Sequence, residues 1–584
     1  MNIYEYDLMN YLLKEEYQNQ RIIAETTNYS LGKVNETIQK LTRDGYLTEQ
    51  FSLTDKAYKE VEARKPKNAI ILAAGFGMRM VPINTEIPKG LLEVDGETLI
   101  ERLIKQLHAV GVYEIDIVVG FMKDHYEFLI DKYGVNLVYN RDYALKNNIH
   151  SLSLVADQLS NTYILPSDIW SEHNPFSKHE LYSWYSVFEE TDKESRIRMN
   201  RKRELVPALT GENGNKMIGI AYLLTAEVDR LKENLNRLTK DSKYDDVFWE
   251  RALFDLKNSA KIYAKFFPND ELFEIDTYEQ LRELDRGSDN LSTDVLDLIA
   301  KEMNVESDQI KKITVLKKGM TNRSFKFTVK DENYIMRIPG EGTDQLIDRK
   351  QEYEVYQAIN ELKISDDLVY MSPKNGYKIS KFLEGARECD PFNPIEVKQS
   401  MEKLRNFHEL KLEVAHRFDL FKQIDLYESF WKGKPSIFRD YEETKAKIFK
   451  LQEFIEAEPK EWVLAHIDAN PDNILFVGED IRMIDWEYAG MQDPDLDIAM
   501  FAIYSLYDRE EIDALIDSYY YEGVSMATRM KIYAYVAISG LLWSNWCEYK
   551  RFEGVEFGEY SLKQYRYAKD YYRIVMDEWL AREN

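Results

Sequence analysis

One stretch limits what this chain can fold into more than any other: residues 71–92, ILAAGFGMRMVPINTEIPKGLL. An apolar run at 69–72 ends in Ala73 and Ala74, and a turn containing Gly75 and Gly77 follows. Arg79 comes at once, and the pair Pro88-Lys89 closes the stretch ten residues further on. A buried strand that leads into a turn of missing side chains lets backbone N–H groups close on a polyphosphate. Arg79 can fork two phosphate oxygens, while Lys89 brings a mobile point charge to the other side of the same pocket.

The surrounding pattern continues that frame. After the glycine turn, Leu99, Ile100, Leu103, Ile104 and Leu107 repeat with helical spacing up to Gly111. Residues 114–120 (EIDIVVG), 135–139 (VNLVY) and 163–165 read as further buried strands, the last leading into Pro166-Ser167-Asp168, with another apolar stretch at 152–155. Strands alternating with helices predict a mostly parallel, doubly wound sheet with its ligand at the strand ends. The polar segment 285–293 (DRGSDNLST) breaks the pattern and sets this domain at residues 66–288.

The 584-residue length leaves room for domains on either side. Residues 1–65 carry three helical patterns, the third capped by Ser30 with Val34, Ile38 and Leu41 on one face. Two short strand candidates, 46–47 and 51–53, then precede a helix over 54–63, and the basic 64–67 stretch reads as a linker. This order resembles a winged helix. Its nine basic against eleven acidic residues, and a chain charge of −26, speak against nucleic acid as a partner and for a protein-contact or vestigial role. The last domain, 289–584, opens with a helix, a strand over 313–316, a glycine at Gly319 and two alternating runs, 324–329 and 334–338, that predict a hairpin. A helix around 352–362 and a largely helical, aromatic remainder follow. The expected architecture is thus α/β and α+β: a small winged helix, a Rossmann-like mixed sheet and a bilobal third domain. Two distant cysteines, no basic-apolar leader and no run of eighteen apolar residues suggest a cytoplasmic protein without a membrane span.

Two constellations carry the chemistry. In the middle domain, Asp168 follows the strand that ends at Leu165, where a carboxylate can reach a nucleotide's phosphates through a divalent cation. Residues 68–276 resemble the phosphocholine cytidylyltransferase branch of bacterial nucleotidyltransferases. The resemblance implies that Ala73, Ala74, Gly75 and Gly77 cradle CTP, that Arg79 and Lys89 are catalytic, and that Asn148 and Ser151 lie near cytosine and ribose. It implies metal aspartates at Asp168 and at the position of Glu250 in the string Phe248-Trp249-Glu250, with Asp246 as the nearby alternative. The aromatic cage for trimethylammonium would draw on Trp170, Trp184, Phe248 and Trp249, because a family cage tryptophan falls here on Arg196, in the basic run 196–203.

In the last domain, His466-Ile-Asp468-Ala-Asn-Pro-Asp-Asn473 is followed twelve residues later by Asp485 in Ile-Asp-Trp-Glu. A phosphotransferase needs a carboxylate near the attacking hydroxyl and oxygen ligands for magnesium around ATP. Asp468 fits the first role, Asn473 and Asp485 the second, and His466 reads as a buried brace. The domain resembles choline and aminoglycoside kinases. Gly319-Met-Thr-Asn322 would then be the phosphate-covering turn, Arg337 the strand cation paired with Glu352, and 381–383 the hinge beside adenine. Trp543 and Trp546, three apart on one helix face, would wall a choline pocket together with Tyr560, and Phe557 and Tyr565 extend the likeness to bacterial choline kinases.

Together the resemblances imply a two-step enzyme. ATP phosphorylates choline, and the phosphocholine then receives CMP from CTP, giving CDP-choline and pyrophosphate, with Mg2+ in both sites. Ethanolamine or another amino alcohol is an alternative acceptor, and a DNA-binding regulator using both folds as sensors is a second alternative. Self-association and passage of product between sites stay open.

Overall fold

A computed structural model describes the chain except residues 194, 196, 209–210, 256–259, 269–270, 317–321, 341–342, 553–556 and 584; of 344 and 579–583 it describes the backbone alone. The cage position Arg196 and the turn residues Gly319 to Thr321 therefore lie outside the described residues. The chain forms two compact units, Met1–Asp297 and Leu298–Asn584.

The first unit opens with four helices, α1 (Ile3–Lys14), α2 (Gln20–Thr27), α3 (Leu31–Arg43) and α4 (Asp55–Ala63). Ser30 caps α3 by accepting from Lys33 N, and Thr54 caps α4 by accepting from Ala57 N, as the side-chain chemistry of both residues favours. The two strands expected for the wing reduce to one antiparallel bridge, Leu47 to Leu53. Phe51 at φ +64° turns the chain too tightly for more.

Seven strands follow: β1 (Asn68–Ala73), β2 (Glu114–Val119), β3 (Asn136–Tyr139), β4 (Thr162–Pro166), β5 (Trp184–Asp192), β6 (Gly214–Leu223) and β7 (Tyr263–Phe266). They form one sheet in the order β7-β5-β6-β4-β1-β2-β3. Strands β3, β2, β1 and β4 are mutually parallel, β6 runs antiparallel to both β4 and β5, and β7 runs parallel to β5. All six β1 residues are buried, as expected of a central strand covered on both faces. Ile70 and Leu72 join one core, and Ala69, Ile71 and Ala73 the other. The helix Leu99–Ala109 forms as the spacing predicts, and the apolar 152–155 stretch is the end of a helix, Asn148–Ser153, and its exit.

The second unit begins with a five-stranded antiparallel sheet made of β8 (Lys311–Val315), β9 (Asn322–Val329), β10 (Glu332–Pro339), β11 (Leu368–Met371) and β12 (Lys378–Lys381), ordered β8-β9-β10-β12-β11. The helix Arg349–Ile359 lies between β10 and β11 in the chain. The remainder of the described residues is largely helical, with two small antiparallel sheets, Val463–Ala465 paired with Gly490–Gln492, and Ile474–Val477 paired with both Arg387–Glu388 and Asp480–Met483. Its longest helices are Met526–Phe552 and Glu559–Glu583. Among the described residues no helix is long and apolar enough to cross a membrane.

Candidate functional site

Each unit carries a cluster of carboxylates where a strand ends. In the first, β1 runs into Ala73 and Ala74, both buried, and then the glycine turn. Gly77 sits at φ +59°, and a Cβ there would come within 3.3 Å of Lys89 Cβ, so glycine lets the turn pack on the lysine stem. Gly120 does the same from β2: a Cβ would meet the Ala74 carbonyl oxygen at 2.7 Å. Phe76 is anchored between Phe121 and Tyr143, with ring centroids 5.0 and 5.1 Å away.

Asp168 follows β4, and the short strand Ile169–Ser171 pairs antiparallel with Leu272–Glu274. Ile275 N donates to Asp168 O at 3.0 Å, which brings a late acidic string beside the early aspartate. Among the described residues, Asp168, Glu274 and Asp276 are the group whose carboxylate oxygens all lie within 4.8 Å of one another. Lys89 Nζ bonds both Asp168 and Asp276, the latter at 2.6 Å, and Arg79 meets the other Asp276 oxygen at 2.8 Å. Burial alone would lower the Lys89 pKa, but Asp168 and Asp276 outweigh it and hold the ammonium charged. Burial, then Asp168 and Asp276, push the Glu274 carboxyl up to about 7. Asp168 Oδ1 is buried with no partner. A hard divalent cation takes oxygen ligands of this kind, so the cluster fits magnesium.

Glu250, expected as the second metal ligand, is not in this cluster. It is half-buried at the start of a short helix, with Oε1 accepting from Tyr185 OH at 2.8 Å and Oε2 buried and unpartnered. Burial pushes its carboxyl up to about 7, opposed by the Tyr185 hydrogen bond. Ring contact with Tyr185 fixes Trp249, 2% exposed, against the same phenol. The Tyr185 hydroxyl feels both Glu250 and Glu274, so this pocket adjoins the carboxylate cluster. Asp246 is exposed and contributes its carbonyl to Asn147. Glu274 and Asp276 went unread in the sequence; the acidic-apolar-acidic string Glu-Ile-Asp after a short apolar strand was the available signal.

Other expected contacts are engaged within the fold. Asn148 accepts from Trp249 N at 2.8 Å, and the buried Ser151 hydroxyl accepts from Asn140 at 3.0 Å, so both hold the wall of the site. Two cage candidates are taken by the protein's own cations: the Arg102 guanidinium lies 3.9 Å from the Trp170 ring, and Lys265 Nζ 3.8 Å from that of Trp184. Phe248 is 61% exposed. Tyr185 with Glu250 is thus the aromatic-acidic pair left beside the cluster.

In the second unit, Asp468 and Asn473 share one loop. Ile467 is held at φ +70°, a strained region for a β-branched residue, because Asp497 accepts from His466 N and Ile467 N at 2.8 and 2.7 Å. His466 Nε2 lies 2.9 Å from Ile484 O, which ties this loop to Asp485; burial keeps the imidazole pKa low, in accord with a brace. Asn473 Nδ2 donates to Asp468 Oδ2 at 2.8 Å, leaving its oxygen for a cation, and Asp485 supplies a carboxylate at φ +65°. This donor set also fits magnesium. Burial, then Asp485, push the Asp468 carboxyl up to about 7 against hydrogen bonds from Tyr504, Asn470 and Asn473. Arg337 and Glu352 form a two-pronged pair at 2.5 and 2.9 Å, with Asp485 3.9 Å from the same guanidinium. Asn322 Nδ2 reaches Glu487 at 3.3 Å. Arg337, Asp485, Asn322 and the 381–383 hinge line a cavity of about 730 Å³, room for a nucleotide.

The aromatic wall is continuous with Asp468. Tyr504, whose hydroxyl opposes the rise in the Asp468 pKa, meets Trp543 edge-on at 5.1 Å, and Trp543 meets Trp546 at 5.5 Å. Trp546 contacts Phe557 at 5.1 Å, and Tyr560 stands 6.3 Å from both Phe557 and Tyr504. Tyr565 belongs elsewhere: it stacks on Phe438 at 3.8 Å and bonds Asp440 and Thr444.

Comparison with known proteins gives each cluster a family. Residues 313–538 match the choline/ethanolamine kinase family, and residues 69–170 the MobA-like NTP transferase domain. The chain joins a choline kinase domain to a MobA-like nucleotidyltransferase domain. Residues 1–48 match a winged helix-turn-helix DNA-binding family. Among relatives of the nucleotidyltransferase domain is the choline-phosphate cytidylyltransferase of Streptococcus pneumoniae, 29% identical over 37% of this chain and 96% of its own length. The 2-aminoethylphosphonate cytidylyltransferase of Lancefieldella rimae is 29% identical over 38% of this chain and 92% of its own length. The kinase domain is similar to protein LicA of Haemophilus influenzae, 25% identical over 42% of this chain and 96% of its own length.

Proposed function

We propose that this protein phosphorylates choline with ATP and then transfers CMP from CTP to the phosphocholine, releasing CDP-choline and pyrophosphate. One observation carries the reading: a chain with a choline kinase domain also carries a nucleotidyltransferase domain whose relatives include a choline-phosphate cytidylyltransferase. The product of the first chemistry is the acceptor of the second, and with ATP and CTP as co-substrates the setting is the cytoplasm. The domains are 1–65, 66–288 and 289–584.

In the kinase site, Asp468 accepts the proton of the choline hydroxyl as its oxygen bonds the γ-phosphorus and ADP departs. Arg337, fixed by Glu352, faces the donor's phosphates. Trp543, Trp546, Tyr504 and Tyr560 offer ring faces to the quaternary ammonium. In the transferase site, a phosphocholine oxygen bonds the α-phosphorus of CTP and the bond to pyrophosphate breaks. Arg79 and Lys89 offset the phosphate charge, and the 73–77 turn presents its backbone N–H groups. Magnesium held by Asp168 with Asp276 and Glu274, and by Asn473 with Asp485, would neutralise triphosphate charge in the respective sites. Glu250 and Tyr185 receive the cationic end of the acceptor, with Trp249 behind them.

A second acceptor class has an observation of its own. A carboxylate beside a phenol, with two tryptophan faces already occupied, suits a primary ammonium as well as a trimethylated one. The test is mass spectrometry of the intact protein supplied with ATP, CTP and either choline or ethanolamine. CDP-choline, lost in Asp468→Ala and restored by added phosphocholine, is the expected result; CDP-ethanolamine alone would replace the acceptor, and no cytidylylated product would overturn the reading.

A further inference from the structure

We propose that Asn148 is a positioning residue for the acceptor: through the Trp249 amide it sets where the Glu250 carboxylate stands. Binding of the nucleotide does not depend on it. This rests on the reading of the first unit as a cytidylyltransferase whose acceptor ends against Glu250.

Glu250 opens its short helix directly after a stretch, 245–249, that belongs to no strand or helix. The chain's own approach therefore does little to fix where the carboxyl stands. A clasp from the start of the helix Asn148–Ser153, separated from it in sequence by 95 to 101 residues, does so instead. Asn147 N donates to Asp245 O at 2.6 Å, and Asn147 Nδ2 to Asp246 O at 3.1 Å. His150 Nε2 lies 2.8 Å from Asp245 Oδ1. Asn148 Oδ1 completes the clasp by accepting from Trp249 N at 2.8 Å, one residue before Glu250.

That last bond is fixed in sense. A backbone N–H can only donate, so the Asn148 amide must turn its oxygen to Trp249. Any shift of the Trp249 backbone would carry Glu250 away from the Tyr185 hydroxyl that it accepts from at 2.8 Å. The clasp has a firm base. Ile149 and Leu152 are buried in one core with Ile70, Leu72 and Ala74, and Ser151 accepts from Asn140 at 3.0 Å. The position of β1 is thus passed to the acceptor's end of the site. The resemblance expected Asn148 beside cytosine and ribose, and the two roles separate by atom. Positioning needs Oδ1, whereas a contact with the nucleotide would fall to Nδ2.

The experiment follows pyrophosphate release by the intact protein as phosphocholine is varied at saturating CTP and magnesium, with CTP binding measured separately by titration calorimetry. Asn148→Ala leaves a backbone N–H unmet, and should raise the phosphocholine KM about tenfold while kcat and CTP affinity change less than about twofold. Asn148→Asp keeps an oxygen for Trp249 N and loses the Nδ2 donor. It should return the KM to within about threefold of the unaltered protein. Asn148→Ser, whose oxygen stands short of the amide, should behave as the alanine variant and replaces it if that one does not fold. A phosphocholine KM unmoved in the alanine and serine variants, or a CTP affinity that falls about tenfold in any of the three, would overturn the proposal. No pyrophosphate release by the unaltered protein would overturn the cytidylyltransferase reading and this proposal with it.

Discussion

Replacing Glu250 by glutamine should make the nucleotidyltransferase unit more stable at alkaline pH and worse at binding its acceptor. The carboxyl accepts one hydrogen bond from Tyr185, and its second oxygen is buried and unpartnered. Burial moves it from the ordinary 4.5 to about 7. Because the folded-state value is raised, the folded protein keeps a proton that the unfolded chain has already released. Glu250 therefore contributes stability fully below pH 4.5 and loses it as pH rises through about 7. At 1.36 kcal/mol for each pH unit, the loss is about 3 kcal/mol. Glutamine keeps the shape and the Tyr185 bond but does not titrate, so the variant should match the unaltered protein near pH 4.5. By pH 8 it should exceed it by about 3 kcal/mol, roughly 6 °C in melting temperature for a unit of this size.

Scanning calorimetry of the full chain resolves this, with the first unit's transition identified by its shift on adding CTP. Acceptor kinetics complete the test. An ammonium facing a buried carboxylate gains about 1.5–3 kcal/mol, so the phosphocholine KM should rise roughly tenfold to a hundredfold in Glu250→Gln, with little change in the KM for CTP. A melting difference that is the same at pH 4.5 and pH 8 would refute the electrostatic argument. An unaltered phosphocholine KM would remove Glu250 from the acceptor site while leaving that argument standing.

Asp276→Asn should lower pyrophosphate release by at least about a hundredfold without affecting ADP release, since Asp276 holds both Lys89 and Arg79; equal loss in Glu250→Gln would return the metal role to Glu250. Trp543→Ala should raise the choline KM about tenfold or more and leave the ATP KM near its starting value, measured by coupled ADP detection. Asp7→Ala should lower the first unit's melting transition by roughly 5 °C, because it unpairs Tyr29, Tyr182 and Arg203 together; a shift below about 1 °C would show that their hydroxyls find other partners.

What the sequence revealed depended on how local the signal was. The 71–92 stretch and the H-x-D-x-x-x-x-N string set their own geometry within a strand and a turn, so Lys89, Asp168, Asp468, Asn473 and Asp485 could be singled out in advance. Their partners could not. Asp276 joins Asp168 across a separation of 108 residues, through a three-residue antiparallel pairing too short to leave a periodic pattern. Glu250 stands where the resemblance expects an acidic metal ligand, but the short helix that begins with it sets its carboxyl against Tyr185 instead. Trp170 and Trp184 leave the expected cage for a related reason. Arg102 and Lys265 cover them from elsewhere in the chain, and residue type alone cannot reveal which ring faces are already occupied.

The N-terminal helices raise the same question of what is already occupied. Leu181 and Tyr182, from the segment before β5, pack into the core formed by α1 to α4. Asp7 on α1 bonds Tyr182 at 2.9 Å and Arg203 at 3.1 Å, and Arg64 Nη1 donates to Leu181 O at 2.9 Å. The Tyr222 hydroxyl, from the central sheet, returns to the Arg64 carbonyl. A domain that shares its core in this way loses contacts on both sides when it is removed. Two of the three basic residues of α3 are similarly committed: Lys40 pairs with Glu5 at 2.5 Å and Lys33 with Glu36 at 3.1 Å. Docking on a polyanion would have to break or share those pairs, subtracting from whatever the phosphates return. The winged-helix fold in this chain is therefore invested first in the sheet beside it, and through Arg203, whose carbonyl accepts from Ala264 N at 2.9 Å, it reaches the edge strand β7.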